Sequence, residues 1–223
     1  MVADGIYYAL AMTAGGGLVS YLSHPLYGVP LYLAAAFCLY FFRDPERAIP
    51  TGPVAVSPAD GTIIGAGDAG NGLTRICIFM NVFDVHVNRS PIAGRITDVS
   101  YRRGRFLVAS RAEAAGQNEQ NSVTVEGGGT RVVFTQIAGL IARRIVFTKK
   151  PGEAVAKGER VGLIKFGSRV DVVLGPEWEI EVHEGEHVKA GSSVLARLCE
   201  QVTARRRDGP AESARTSDRP ELA

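Results

Sequence analysis

From Ile6 to Phe42 no Lys, Arg, Asp or Glu interrupts the chain. The run divides at Ser23-His24-Pro25 into Ile6 to Leu22 and Leu26 to Phe42, each near the lower limit of ~17 residues for a helix crossing a bilayer. The pattern predicts an apolar helical hairpin, spanning or re-entrant. A signal peptide fits poorly, because no basic residue precedes the first run and a second apolar run follows it. A buried helical pair of a soluble protein is the competing reading, but a soluble core seldom needs so long an uncharged stretch. Arg43 and Arg47 follow at once. By the positive-inside rule they predict attachment to the cell membrane with the remaining chain on the cytoplasmic side. His24, in the break, reads as solvated or as a helix cap. If the hairpin is an anchor alone, removing residues 1–42 should free the protein without stopping its chemistry.

Past Pro50 and Pro53 the period changes. Short runs rich in Val and Ile, divided by Gly, Pro or Asn, predict strands. They are Val54 to Val56, Gly61 to Ile64, Arg75 to Met80, Asp84 to Val87, Ile96 to Tyr101, Ser122 to Val125, Arg131 to Gln136 and Val161 to Lys165. A helix is expected over Phe106 to Ala115, and Ile137 to Arg144 is ambiguous. So many short strands imply a mainly β (α+β) protein: a compact sheet or sandwich with lipoyl-like turns, preceded by the helical hairpin. The expected organisation is a membrane-associated hairpin over 1–47, a β domain carrying the chemistry over 48–200, and a tail over 201–223. That tail has too few large apolar residues to offset its ordering entropy and is expected to be disordered. Its Arg205-Arg206-Arg207 reads as solvated charge or as a contact for anionic lipid.

A faint internal echo relates residues 151–161 to residues 183–194, each placing an apolar residue, a Lys and a Gly in a turn before a strand. Lipoyl and biotinyl carrier domains use such turns, so a membrane-tethered carrier or scaffold module is a rival function. Those carriers need a lysine at a tight hairpin tip, and neither Lys157 nor Lys189 is set that way.

With 223 residues and a formal net charge of +2, the chain has room for one core and lacks the basicity of a nucleic-acid-binding domain. Cys38, Cys77 and Cys199 suit buried thiols rather than a disulfide framework or zinc knuckle. His183 and His187 lie four apart, but in a Gly-bounded turn rather than on a helix, so no metal site is expected.

The sharpest chemical feature is Gly167-Ser168, between two β-type runs. Glycine admits backbone conformations closed to other residues, and its carbonyl is open to the adjacent hydroxyl. An ordinary turn is the bland alternative. Asp60, in Ser57-Pro58-Ala59-Asp60-Gly61, and His86, in the run from Asn81 to Pro91, complete a possible Asp, His and Ser set. Alone, Asp60 reads equally as a turn-stabilising side chain and His86 as a core or surface histidine.

Several segments carry a resemblance. They are Phe41-Phe42-Arg43-Asp44-Pro45-Glu46-Arg47, Ser57-Pro58-Ala59-Asp60-Gly61 and the run from Phe79 to Arg89. Further on come Asn118-Glu119-Gln120-Asn121, the run from Gln136 to Ile145, and Phe166-Gly167-Ser168-Arg169-Val170-Asp171. In this order they resemble phosphatidylserine decarboxylase proenzymes of the short, archaeal-like branch, from the hairpin to about Leu174 and more weakly to Leu198. The resemblance implies autocatalytic cleavage between Gly167 and Ser168, with Ser168 becoming a covalent pyruvoyl group. That pyruvate is the cofactor and forms the Schiff base with the substrate amine. It also implies His86 as base, Asp60 as the residue orienting it, and phosphatidylserine in a lipid bilayer as substrate, giving phosphatidylethanolamine. The two cleaved chains would stay together as a heterodimer, with a higher oligomer possible. Arg89, Arg102, Arg103 and Arg105 are the candidates for binding the substrate phosphate.

Two departures stand out. The larger bacterial and mitochondrial branch carries Leu-Gly-Ser-Thr at the cut, where this chain has Phe166-Gly167-Ser168-Arg169. That branch also has a second histidine, three residues after the first, where this chain has Arg89. One histidine then serves twice, or maturation uses Asp84 or water. A pyruvoyl decarboxylase of a soluble amino acid remains a second alternative, against which the apolar hairpin argues.

Overall fold

The computed structural model describes residues 2–107, 109, 114–140, 144–165 and 167–199. The uncharged stretch forms two helices, α1 (Ala3–Leu22) and α2 (Pro25–Phe41). His24 caps α2, its Nδ1 accepting from the Leu26 amide at 3.3 Å, and Pro25 occupies the first turn, where no N–H is needed. The cap reading of His24 holds. Among the described residues no helix is long and apolar enough to cross a membrane.

Among the described residues fourteen strands follow. The first seven are β1 (Val54–Val56), β2 (Gly61–Gly70), β3 (Leu73–Met80), β4 (Val87–Arg89), β5 (Gly94–Arg102), β6 (Gln120–Gly127) and β7 (Thr130–Ala138). Then come β8 (Ile145–Phe147), β9 (Ala154–Val155), β10 (Arg160–Ile164), β11 (Ser168–Leu174), β12 (Trp178–Ile180), β13 (His187–Val188) and β14 (Val194–Leu198). An eight-stranded antiparallel sheet runs β13-β2-β3-β11-β7-β6-β5-β9, beside two three-stranded sheets, β1-β14-β12 and β4-β10-β8. The mainly β expectation is met. Strand β11 lies inside the large sheet, with Ser168 opposite Met80 on one side and Ala138 on the other.

Side chains alternate across this sheet. Ile76, Ile78 and Met80 of β3, Val170, Val172 and Leu174 of β11, and Phe134 of β7 fill one buried face. Ser168 ends that inward row. Arg169 and Asp171 turn the other way and pair with each other, Nη2 to Oδ2 at 2.9 Å, with Cys77 Sγ alongside.

The echo of residues 151–161 and 183–194 is structural. Each begins at a left-handed glycine, Gly152 or Gly185, and continues through the two-residue strand β9 or β13 to a second such glycine, Gly158 or Gly191. Strands β9 and β13 close the two opposite edges of the large sheet. Their partners begin with a second repeat that the sequence reading missed, Ser57-Pro58-Ala59-Asp60-Gly61 and Ser90-Pro91-Ile92-Ala93-Gly94. In both, the serine hydroxyl donates to the carbonyl two residues on, Ser57 to Ala59 and Ser90 to Ile92. The same local unit therefore recurs at both edges of the large sheet.

Local chemistry moved three boundaries. Of the strand expected over Asp84 to Val87 only Val87 is in β4, because Asp84 Oδ2 accepts from Asn81 N and Asn81 Oδ1 accepts from Phe83 N, which makes a turn. His86 therefore stands just before β4. Of the helix expected over 106–115, Phe106 and Leu107 belong to no helix or strand and a four-residue helix, α3 (Ala114–Gln117), follows; residues 108 and 110–113 lie outside the described residues. Ile137 and Ala138 finish β7, whereas 141–143 and the tail over 201–223 also lie outside them.

A clasp of charges joins the hairpin to the β domain. Arg43 donates to the Phe83 carbonyl at 2.6 Å, Asp44 accepts from Arg89 and Arg160, Glu46 pairs with Arg160, and Arg47 pairs with Asp60 at 2.8 Å. Arg89 is buried and divides its donors among Asp44, Pro45 O and Gly158 O. Its assignment to a substrate phosphate is corrected: the guanidinium is already used in holding the chain. We expect Arg89→Ala to cost about 3 kcal/mol, as breaking one partner from a buried pair does, measured by denaturant unfolding of the chain carrying Ser168→Ala.

Candidate active site

Three elements bring the site together. Strand β11 presents Ser168, the turn before β4 presents His86, and the end of β7 presents Gly139. Ser168 is fully buried, and its Oγ lies 3.3 Å from Met80 Sδ, a weak acceptor that leaves the hydroxyl loosely held. Gly167 has φ +60°, a left-handed backbone in which a Cβ is strained, and the space beside it is open.

His86 is 2% exposed, and both of its ring nitrogens face defined partners. Nδ1 lies 2.9 Å from the Asp84 carbonyl oxygen, which only accepts, so Nδ1 carries the proton. Nε2 is then a bare lone pair, and it accepts from the Gly167 amide at 3.3 Å. Burial pushes the imidazole down to about 4, against the opposing pull of the Asp84 carbonyl and carboxylate; Arg43 lowers it further. The ring is uncharged at neutral pH and able to take a proton.

Asp60 does not orient this histidine. Its Oδ2 pairs with Arg47 at 2.8 Å, and its Oδ1 accepts from the Ala190 amide at 2.7 Å. The repeat makes the same turn with Ala93, so the turn itself does not require the carboxylate. The orienting group is the Asp84 carbonyl, and the Asp84 side chain in turn accepts from His187 at 3.0 Å. Sequence reasoning missed His187 for this purpose: the 103 positions between it and Asp84 are bridged only by β13 closing on β2.

The Asn118-Glu119-Gln120-Asn121 segment supports Ser168 from β6. Asn118 Nδ2 donates to the Ala138 carbonyl at 2.7 Å, beside the strand position facing Ser168. Asn121 donates to Gln136 and Gln136 to Asn88, a buried amide chain that ends near Met80. Arg102, Arg103 and Arg105 are exposed at the same end of the sheet as Ser168. Arg102 lies three strand spacings from β11, about 14 Å, and donates to the Ala115 and Gly116 carbonyls.

A buried serine follows a left-handed glycine whose amide donates to an uncharged imidazole, so the contacts converge on one backbone segment. It is not a carrier's lysine tip: Lys157 donates to the Gly52 carbonyl. The sequence model described as phosphatidylserine decarboxylase matches residues 34–196. A phosphatidylserine decarboxylase proenzyme of Solibacter usitatus is 65% identical over 197 residues, covering 88% of this chain and 96% of that protein. Another, of Erythrobacter litoralis, is 44% identical over 217 residues, covering 88% and 87%. The chain belongs to the phosphatidylserine decarboxylase family, a family of enzymes.

Gly139 packs against the carbonyl of Gly167, and a methyl group there would fall well inside contact distance of that oxygen. The obstruction is backbone and cannot rotate away. We expect Gly139→Ala to leave the protein folded but to slow any chain splitting about tenfold or more, since ~1.4 kcal/mol of misplacement suffices, read from a gel time course after synthesis.

Proposed function

We propose that this chain decarboxylates phosphatidylserine to phosphatidylethanolamine after breaking its own Gly167-Ser168 bond. The observation that carries the reading is the His86 lone pair held 3.3 Å from the Gly167 amide, beside a buried Ser168 hydroxyl resting on a thioether. Ser168 Oγ adds to the Gly167 carbonyl carbon, its proton passing to a base, and the amide nitrogen leaves, so an ester replaces the amide. His86 lies one residue from that hydroxyl and is the base at hand. Loss of the Ser168 Cα proton then expels the Gly167 carboxylate, leaving dehydroalanine at a new N-terminus. Water enters, ammonia departs, and Ser168 ends as a pyruvoyl group.

The surroundings fit such a group, because Ser168 is shielded from bulk water while the space beside Gly167 is open. Once formed, a pyruvoyl carbonyl supplies the sink for electrons left at the substrate Cα when CO2 departs. In this reading His86 returns the proton to that carbon. Arg102, Arg103 and Arg105 are the cations left for the phosphate.

The cut leaves residues 1–167 and 168–223. The shorter piece keeps β11, paired along its whole length with both β3 and β7, so the two pieces remain one heterodimer.

The hairpin is proposed to lie in the membrane interface. Tyr7, Tyr21, Leu22, Leu26, Tyr27 and Leu33 are exposed, and both helices are apolar around most of their circumference. Phe83, also exposed, continues this surface beside Tyr40 and Arg43. Diacyl tails remain in the bilayer while the headgroup reaches Ser168.

Wild type is expected to run as two pieces on a denaturing gel and Ser168→Ala as one, with all activity lost in the variant. Mass spectrometry of the smaller piece should show a blocked ketoacyl terminus. CO2 release from phosphatidylserine vesicles but not from free serine completes the test. An uncut wild-type chain removes the enzyme reading, and equal turnover of free serine reassigns the substrate. Separately, Tyr21→Glu combined with Leu26→Glu at the hairpin tip should weaken vesicle binding by about 1,000-fold or more, at ~2.5 kcal/mol or above for each buried charge, without stopping chain splitting.

A further inference from the structure

Sequence alone reads the hairpin as an anchor; the structure also seats its second helix on the histidine of the site. The Phe41 ring lies against the His86 imidazole, centroids 4.3 Å apart and planes tilted by 35°. Phe41 is 1% exposed and meets Phe42 edge-on at 5.0 Å. Phe42 is itself held by Tyr8 of α1, and its carbonyl accepts from Val2 N. Two residues before Gly167, Lys165 pairs with Asp4 of α1 at 2.9 Å and lies over the Tyr8 ring. The hairpin thus grips the base and the approach to the bond together.

We propose that the hairpin is a working wall of the maturation site, with Phe41 the positioning residue that keeps the His86 imidazole dry, uncharged and aimed at the Gly167 amide. This rests on the reading of Gly167-Ser168 as the cut. The contact geometry supplies the reason. Gly167 offers Nε2 an N–H donor and the Asp84 carbonyl already takes the Nδ1 proton, so a protonated ring would set one donor against another. The ring of Phe41 covers the imidazole face from which water would otherwise stabilise that charged form. The charges facing His86 are Asp84 from its own turn and Arg43 from beyond α2. Lys165 with Asp4 lies next to Ile164, whose amide donates to the His86 carbonyl, and His187 is held on the far side of Asp84.

The sign follows directly. A ring titrating near 4 stays a base down to about pH 5, so wild-type splitting should be nearly flat from pH 8 to 5. In Phe41→Ala, water reaches the imidazole and its pKa moves up toward the ordinary ~6.5, so splitting should fall by up to roughly 30-fold at pH 5 and little at pH 8. Phe41→Leu keeps the apolar volume and the fold, and should move the titration up by about one unit. The His86 titration is followed by NMR in the uncleaved Ser168→Ala background, and splitting rates by gel. A titration and pH profile in Phe41→Leu that match wild type overturn the proposal, whatever Phe41→Ala does to folding. A wild-type chain that never splits overturns the parent reading instead and leaves the titration to judge Phe41 on its own. Removing residues 1–42 should then impair maturation as well as membrane binding, contrary to the anchor-only expectation.

Discussion

Backbone pairing begins at Ser168 and does not extend to the residue before it. From Ser168 onward the chain is hydrogen-bonded on both sides, to β3 and β7, and Gly167 sits in a left-handed conformation at the point of entry. One side of the peptide link is therefore held by two neighbouring strands. A side chain on Gly139 would push into the Gly167 carbonyl, and the His86 lone pair fixes the Gly167 amide. The rest of the site consists of supports for this junction.

Those supports reach far along the sequence. Asp84 turns its carbonyl to His86 and its carboxylate to His187, so one residue links the imidazole to the edge strand β13. Residues 43–47 bind at six points and fix how α2 meets the β domain. Buried ion pairs of this kind add little net stability over apolar packing, but losing one partner is costly, so they define geometry more than they strengthen the fold.

Much of this was legible in the residues. The uncharged stretch gave both helices to within a few positions, and the Val- and Ile-rich runs gave most of the strands because alternating burial imposes its period directly. Chemistry singles out Ser168 and His86 as candidates, and the structure brings His86 against the residue before Ser168. Asp60 was misplaced, because a carboxylate on a turn looks the same whether it faces an imidazole or an arginine. Arg89 was misread for a similar reason: nothing local says that Asp44 will meet it across 45 positions. Phe41 was invisible as anything but membrane-facing, since an apolar helix gives no sign of which ring will lie on a distant histidine. The Ser-Pro-x-x-Gly repeat was readable and was overlooked.

The placement of β11 has a consequence for how such a molecule is made. A strand inserted between two others can enter only while the sheet is still assembling, so a separately supplied 168–223 segment would find its slot already closed. Under the proposed cut, both pieces of the mature protein therefore come from one chain, folded before it was broken.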